Sequence, residues 1–267
     1  MAQPNDIGNR KRVAVKVISD IHGAYDALAG QLEQDDTAVL LGDYLNLVDF
    51  RTLGGILSQV YTREEIWAAL SALSGGSKEL ARKSIQEISM GSEDKRERVR
   101  ELMADGYRRF YSSLPCRAFV IYGNTDSPQM LREYASGDVE ILESGVVEID
   151  GSRFGFVSGA PFGPWTVGLP GEMEPARYDA LVGSLGPVDV LCTHCPPAIP
   201  ELTWDVKANR DEKGSGSLLE YIDLCEPSFH YFGHVHNPRM SEVVRGRTRV
   251  MNAGFFKESG TALVFEH

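Results

Sequence analysis

The stretch Ser19-Asp20-Ile21-His22-Gly23 follows an apolar, β-branched run at 13–18, which predicts a buried strand. Asp20 and His22 are two residues apart, so in an extended chain their side chains point to the same side. A carboxylate and an imidazole with a common direction at the end of a strand can bind one divalent cation. The alternative is an ordinary turn at the end of the strand, because Asp and Gly are frequent turn residues. The remainder of the chain decides between these two interpretations.

Four further predicted strands end in residues of metal-binding type. They are followed by Asp43, by Asn124, by His194, and by the pair His234 and His236. Four of the six histidines of the chain lie at such strand ends. Because strand ends converge at one edge of an α/β sheet, we expect these side chains to share one site. A mixed set of oxygen and nitrogen donors of this size suits two first-row metal ions with a carboxylate between them.

Length and composition narrow the class of protein. The 267 residues are enough for one large α/β domain or two small ones. The formal charge of −11 disfavours nucleic acid or an anionic membrane as the partner. No apolar run approaches the roughly 20 residues of a membrane span, and the polar residues 1–12 predict a disordered tail, not a signal peptide. The four cysteines suggest no disulfide framework, so a cytoplasmic location is the simplest expectation.

The region of about residues 50–114, between the second and third predicted strands, has a helical pattern, and we call it the helical insertion. Its predicted helices are indicated by apolar spacing over 53–61 and by caps at Thr62 with Glu65, at Ser77 and at Ser92. The last of these helices carries an apolar stripe with Tyr107, Phe110 and Tyr111. Such a stripe must be buried, which predicts either a cap over the site or the contact surface of a homo-oligomer.

Taken together, these motifs resemble those of the calcineurin-like metallophosphoesterase superfamily, in its branch of small bacterial phosphodiesterases. The family motifs D-x-H, G-D-x-x-D/N, G-N-x-D/E, a histidine after a strand, and G-H-x-H have counterparts, in this order, at 20–22, 42–46, 123–126, 193–194 and 233–236. Any one motif alone is a weak signal, whereas five in order are specific. The resemblance implies an α/β fold of two stacked mixed β-sheets flanked by helices, an αββα sandwich that forms a single domain over residues 13–267.

The resemblance also implies two groups of metal ligands. They are Asp20, His22 and His236 for the first metal, Asn124, His194 and His234 for the second, and Asp43 as the bridge between both. The donor set suits two divalent ions, for which we expect manganese, with iron, zinc, cobalt or nickel as alternatives. The implied activity is hydrolysis of a small-molecule, nucleotide-type phosphodiester by a hydroxide that bridges the two metals.

The motif Gly123-Asn124-Thr125-Asp126 supplies the remaining catalytic candidates, which are Asn124, Thr125 and Asp126. Many family members have His at the position of Thr125, where it is thought to protonate the leaving group, and a threonine hydroxyl is a poor acid. Members that resemble this chain in lacking this histidine act as phosphodiesterases on artificial substrates, and the Arg-Gly pair of protein phosphatases is missing after Asn46. Two alternatives stay open: a phosphomonoesterase acting on a small phosphorylated metabolite, and a non-catalytic metal-binding scaffold.

The stretch Cys192-Thr193-His194-Cys195 has the spacing C-x-x-C. Redox motifs of this form open a helix, whereas Cys192 lies in a predicted strand and two prolines follow Cys195. We therefore expect no redox function. The position of Cys195 beside His194 nevertheless predicts a site that is sensitive to oxidation.

Overall fold

The computed structural model describes residues 14–49, 52–74, 91–164, 166 and 168–266. The strands are β1 (Val15–Ile18), β2 (Thr37–Leu40), β3 (Arg117–Val120), β4 (Val139–Ile141), β5 (Ser144–Ile149), β6 (Ser152–Val157), β7 (Ala160–Pro161), β8 (Glu172–Met173), β9 (Val190–Thr193), β10 (Trp204–Asp205), β11 (Arg210–Asp211), β12 (Phe229–Phe232), β13 (Glu242–Arg245), β14 (Thr248–Asn252) and β15 (Leu263–Phe265). The helices are α1 (Tyr25–Gln31), α2 (Arg63–Ser74), α3 (Glu93–Ser112), α4 (Pro128–Glu133), α5 (Pro175–Gly183), α6 (Pro200–Thr203), α7 (Gly216–Cys225) and α8 (Phe256–Ser259). The tail predicted for residues 1–12 and the helix predicted after Ser77 lie outside the described residues.

Two large mixed sheets carry the fold. The first has the strand order β15-β1-β2-β3-β4, with β1 to β4 parallel and β15 antiparallel to β1. The second has the order β13-β14-β12-β9-β6-β5, with four inner parallel strands and an antiparallel strand at each edge. Parallel strands bring their carboxyl ends to the same edge, which is where ligands bind in α/β proteins.

The two sheets pack face to face. Val17 and Val39 of the first sheet share one buried cluster with Val190 of the second. Phe119 stacks on Phe156 across the interface, with their ring centroids 6.1 Å apart. Helices α1 and α3 cover the outer face of the first sheet, and α5 and α7 pack against the second. This arrangement confirms the predicted class of two stacked mixed sheets flanked by helices.

Helix α3 of the helical insertion packs directly against the first sheet. Tyr107, Phe110 and Tyr111 are buried, and Phe110 stacks on Tyr44 with their ring centroids 4.1 Å apart. The apolar stripe predicted from the sequence is therefore filled within the chain. It no longer supports the prediction of a homo-oligomer through the helical insertion.

The helix predicted over 53–61 is wrong, because this segment forms a single 3-10 turn at Leu57–Gln59. Gly55 has a φ of 120°, and backbone amides of the segment donate to the carbonyl oxygens of Asn46 and Leu47. These hydrogen bonds hold the segment alongside the loop that follows β2. Leu53, Ile56 and Tyr61 are buried although they lie in a loop. Their spacing in the sequence happens to match that of the apolar face of a helix.

The predicted caps of α2 and α3 are confirmed. The Thr62 amide donates to Glu65 Oε2 at 2.8 Å, and the Glu65 amide donates to Thr62 Oγ1 at 3.2 Å. Ser92 Oγ accepts a hydrogen bond from the Lys95 amide at 3.4 Å. None of the helices in the described ranges is both long and apolar enough to cross a membrane.

Candidate metal centre

Parallel strands of both sheets bring the predicted ligands together. Strands β1, β2 and β3 lead into Asp20, Asp43 and Asn124, and strands β9 and β12 lead into His194 and His234. The loops after β1 and β2 run side by side. The Asp20 amide donates to the Gly42 carbonyl at 3.1 Å, and the amides of His22 and Gly23 donate to the carbonyls of Asp43 and Tyr44. Motifs that are distant in the sequence thus meet at one edge of the sandwich.

The first ligand group consists of Asp20, His22 and His236. Asp20 Oδ1 lies 3.3 Å from His236 Nε2 and 3.8 Å from His22 Nε2, and the two imidazole nitrogens are 3.2 Å apart. Donors bound at about 2.0–2.2 Å to one ion lie about 3–3.5 Å from each other. Among the described residues, the buried Oδ1 of Asp20 has no hydrogen-bond partner. A cation would satisfy this oxygen, so these three residues fit a metal ion.

The second ligand group consists of Asn124, His194 and His234. Asn124 Oδ1 lies 3.0 Å from His194 Nε2 and 2.9 Å from His234 Nδ1. Asp43 lies between the two groups, since its Oδ2 is 3.7 Å from His22 Nε2 and 3.7 Å from His194 Nε2. The donor atoms of Asp20, Asp43 and His194 also lie within 4.8 Å of one another.

Backbone carbonyls fix the orientation of two of these imidazoles. His22 Nδ1 lies 3.2 Å from the Leu45 carbonyl oxygen, and His194 Nδ1 lies 2.8 Å from the Leu41 carbonyl oxygen. Because a carbonyl oxygen only accepts, each Nδ1 carries the proton in the neutral ring. Each Nε2 then presents a free lone pair to the site, as a metal ligand requires.

Charge and burial set the protonation of the ligands. Burial alone would raise the pKa of Asp20, but the adjacent His22 and His236 outweigh it and hold this pKa well below its usual range. Burial and then the nearby His194 lower the pKa of His234. Burial would also lower the pKa of His22, but the carboxylates of Asp20 and Asp43 outweigh it and raise this pKa. Because an imidazole binds metal in its neutral form, a proton on His22 would compete with a metal ion there.

The local backbone is unusual at four of the ligands. Asp20, His22, Asp43 and His234 have φ values of 55°, 42°, 58° and 69°, in the left-handed region that residues other than glycine rarely adopt. Backbone outliers of this kind concentrate at functional sites, where the surrounding structure holds them. Gly123 is also required, because a Cβ atom there would overlap Asp43 Oδ1 and lie 2.7 Å from the Asp43 amide nitrogen.

Thr125 and Asp126 contact the backbone and the bridging carboxylate. Thr125 donates to Asp43 Oδ1 through its amide at 3.0 Å and through its hydroxyl at 2.8 Å. Asp126 is completely buried and accepts hydrogen bonds from the amides of Gly123, Asp43 and Tyr44 at 2.9, 2.7 and 3.1 Å. Of the three predicted catalytic candidates, Asn124 reaches the ligand cluster, Thr125 contacts Asp43, and Asp126 lies beneath the site without access to a substrate.

Burial also decides the protonation of Asp126. Burial, followed by the negative charge of Asp43, raises the pKa of Asp126 to about 6. Three backbone amides oppose this shift by stabilising the carboxylate. The hydrogen bonds from these amides to Asp126 hold together the loops that carry Asp43 and Asn124.

Sequence reasoning did not assign a role to Phe255. Its ring stacks on His236 with centroids 4.0 Å apart and meets His22 edge-on at 5.6 Å. The sequence signal that could have indicated Phe255 is the turn at Asn252, which directly precedes it and brings this segment close to the ligand groups. Asn252 Nδ2 donates to the Val235 carbonyl at 2.9 Å, between the two histidines of the last motif.

The two cysteines of the C-x-x-C stretch are buried free thiols. Cys192 lies within β9, as expected, and so does not open a helix. Burial raises the pKa of the Cys195 thiol to about 12. A protonated thiol is a poor nucleophile, so the oxidation sensitivity that its position predicts gains no support from the structure.

A family model described as calcineurin-like phosphoesterase matches residues 13–238. The chain belongs to the calcineurin-like phosphoesterase family. All candidate ligands of this phosphoesterase, from Asp20 to His236, fall within the matched range. Membership makes it a hydrolase of phosphoesters from a family that uses divalent metals, and the ligand cluster contains residues that could hold such an ion.

Two solved structures align with this phosphoesterase over nearly its whole length. One is 20% identical, with a TM-score of 0.59 and coverage of 92% of this chain and 91% of its own. The other, the protein TT1561 of Thermus thermophilus, is 11% identical, with a TM-score of 0.50 and coverage of 95% and 98%. At these identities the likeness concerns the fold alone. No curated protein matches the chain.

Proposed function

We propose that this phosphoesterase is a dinuclear enzyme that hydrolyses a small, nucleotide-type phosphodiester. The observation that carries the proposal is the position of Asp43. Its Oδ2 lies 3.7 Å from His22 Nε2, in the first ligand group, and 3.7 Å from His194 Nε2, in the second. A carboxylate oxygen equidistant from two sets of ligands is the arrangement that a bridged metal pair requires.

Two divalent ions, for which we propose manganese, would polarise the phosphoryl group, lower the pKa of a water molecule and offset charge on the leaving oxygen. Asp20, His22 and His236 would hold one ion. Asn124, His194 and His234 would hold the other, with Asp43 shared. The Oδ1 of Asp20 supports this assignment, since it has no hydrogen-bond partner in the described part of the chain and a buried oxygen in that state is otherwise costly.

Thr125 and Asp126 support the site as positioning residues. The two hydrogen bonds from Thr125 to Asp43 Oδ1 leave Oδ2 directed at the metal ligands. Because the Thr125 hydroxyl donates to Asp43, it does not serve as the proton donor for a leaving group. This supports a preference for phosphodiesters over substrates whose leaving group depends on such an acid.

We also propose that the chain forms one domain, acts on a small substrate and is located in the cytoplasm. Both sheets, α1 and α3 share buried clusters, which supports one domain with the helical insertion built into it. The charge of −11 supports a small substrate over a polynucleotide. The four free cysteine thiols are compatible with a cytoplasmic location.

Hydrolysis assays on metal-stripped protein test the proposal, with bis(4-nitrophenyl) phosphate as the diester and 4-nitrophenyl phosphate as the monoester. Addition of Mn²⁺ should restore diester hydrolysis. Asp43→Asn should lower kcat/KM on the order of 100-fold or more, because it removes the shared negative charge. The matched control is Asp138→Asn, which changes an exposed carboxylate and should leave the rate unchanged.

Three outcomes would count against the proposal. A preference for the monoester would favour the phosphomonoesterase alternative. Hydrolysis that survives in Asp43→Asn would remove the bridging role of that carboxylate. Absence of turnover of either ester, with two metal ions bound per chain, would favour the non-catalytic scaffold.

A further inference from the structure

A pocket of about 430 Å³ lies beside the first ligand group and is lined by His22. The loop at Asn46 and Lys257 line one part of it, and the helical insertion lines another. The insertion contributes its 3-10 turn and the face of α3 that ends at Arg109. The volume falls in the range of roughly 300–1,000 Å³ that is typical of small-ligand sites.

Of the lining residues that the structure describes, Lys257 and Arg109 carry cationic side chains, and they differ in their partners. Lys257 Nζ lies 2.9 Å from Asp49 Oδ2 and 3.3 Å from Asn46 Oδ1, so an ion pair already engages its charge. Within the described ranges, no carboxylate lies within 4 Å of the Arg109 guanidinium. That guanidinium lies over the ring of Tyr25, with its central carbon 5.3 Å from the ring centroid.

Among the described lining residues, the one acidic group lies on the same helix as Arg109. The Asp105 carboxylate, one turn earlier, lies 3.9 Å from the guanidinium of Arg108. Both of these side chains are more than half exposed, which weakens the effect of their charges. Arg109 is therefore the cation of the pocket whose charge no ion pair with a described residue engages.

The position of α3 is fixed relative to the metal ligands. A Cβ atom at Gly106 would lie 2.7 Å from Leu45 Cδ2, so the helix backbone packs very closely on the loop after Asp43. Tyr107 Oη accepts a hydrogen bond from the Ser127 amide at 2.8 Å. This contact ties the helix to the loop that carries Asn124. Arg109, whose side chain is exposed, is thus presented to the pocket from an anchored helix.

We infer that this pocket binds a second phosphate group of the substrate and that Arg109 is the residue that recognises it. The inference rests on the proposed function, since the pocket extends from the ligand His22. A guanidinium binds a phosphate through two parallel charge-assisted hydrogen bonds. The substrate class is a nucleotide-sized phosphodiester that carries one phosphate in addition to the scissile one.

Calorimetric titrations of the full-length, Mn²⁺-loaded protein test this inference with thymidine 3′,5′-bisphosphate and thymidine 5′-monophosphate. The wild type should bind the bisphosphate about tenfold or more tightly than the monophosphate, because one charge-assisted hydrogen bond contributes about that difference in affinity. In Arg109→Ala the ratio of the two Kd values should fall to about one. Arg108→Ala is the matched control, because Arg108 is a neighbouring exposed arginine that lies over Tyr134, and it should keep the wild-type ratio.

A wild-type ratio near one, or a ratio that survives in Arg109→Ala, would overturn the inference. Hydrolysis of bis(4-nitrophenyl) phosphate, measured on the same preparations, separates this result from the proposed function. Turnover without an Arg109-dependent ratio would refute only the second phosphate site. An Arg109-dependent ratio without turnover would refute only the proposed phosphodiesterase activity.

Discussion

Neighbouring residues fix the orientation of the Asp43 carboxylate. Its Oδ1 accepts two hydrogen bonds from Thr125, and its Oδ2 lies equally far from the Nε2 atoms of His22 and His194. The left-handed backbone of Asp43 is held by the buried carboxylate of Asp126, which accepts a hydrogen bond from its amide at 2.7 Å. The orientation of this carboxylate thus depends on Thr125 and Asp126, which lie outside the two ligand groups.

Replacing Thr125 by Val tests this dependence at the level of one hydrogen bond. The change removes the hydroxyl at 2.8 Å from Asp43 Oδ1 and keeps both the side-chain shape and the amide contact. Loss of such an outer contact typically weakens metal binding about 10-fold to 100-fold. Calorimetric titration with Mn²⁺ should show a loss in the lower part of that range. Thr261→Val, which removes an exposed hydroxyl, should bind Mn²⁺ as the wild type does, and equal affinity in all three proteins would refute the orienting role.

The buried residue His230 is expected to lower the stability of the folded protein at acid pH. Burial lowers the pKa of His230 from 6.5 to about 3, so the folded protein holds this ring neutral. Below about pH 6.5 the unfolded chain takes up a proton that the folded chain does not, so stability falls as the pH falls, by about 1.4 kcal/mol per pH unit. This contribution is complete above pH 6.5 and is lost progressively toward pH 3.

His230→Gln provides the comparison, because glutamine can keep the hydrogen bond to Thr193 Oγ1, which lies 2.9 Å from His230 Nε2. Between pH 7 and pH 5, the free energy of unfolding of the wild type should drop by about 2 kcal/mol more than that of the variant. Urea unfolding at the two pH values measures both quantities. Parallel losses in the two proteins would show that His230 does not contribute.

At the scale of elements, helix α3 joins the helical insertion to the catalytic fold. Its apolar face enters the same buried cluster as β1, β2 and β3, and its Arg109 end lines the pocket beside His22. The sequence pattern correctly indicated an apolar stripe on this helix. It could not indicate the partner of the stripe, because amphipathic spacing is the same for a helix packed on its own chain and for one packed on another.

Phe110→Ala should therefore destabilise the fold strongly. The ring is fully buried and stacks on Tyr44, and removal of a buried phenylalanine costs about 3–5 kcal/mol. Trp67→Ala, on α2 of the same insertion, should change the free energy of unfolding by about 0.5 kcal/mol or less, because that side chain is 60% exposed. Denaturant unfolding of the two variants measures the contrast. A small effect of Phe110→Ala would mean that the insertion does not contribute to the core.

At the scale of the whole molecule, the sequence predicted the fold and indicated which residues meet at the edge of the sheets, because both depend on local patterns. Short apolar runs that end in Asp, Asn or His identify the parallel strands and their carboxyl ends together. The supporting contacts were not predictable in this way. Asp126 accepts a hydrogen bond from the amide of Asp43, 83 residues away along the chain, and the loop at Asn46 holds the segment 53–61 out of a helix. Such contacts become visible only when the sheets are assembled.

The central claim about the whole molecule is a pair of metal sites that share Asp43. The most direct measurement is the metal content and Mn²⁺ titration of the full-length wild type and of Asp43→Asn. We predict two ions per wild-type chain and weaker binding at both sites in the variant, because the proposed bridging carboxylate would serve each ion. A single ion in the wild type, or loss of only one site in the variant, would contradict it.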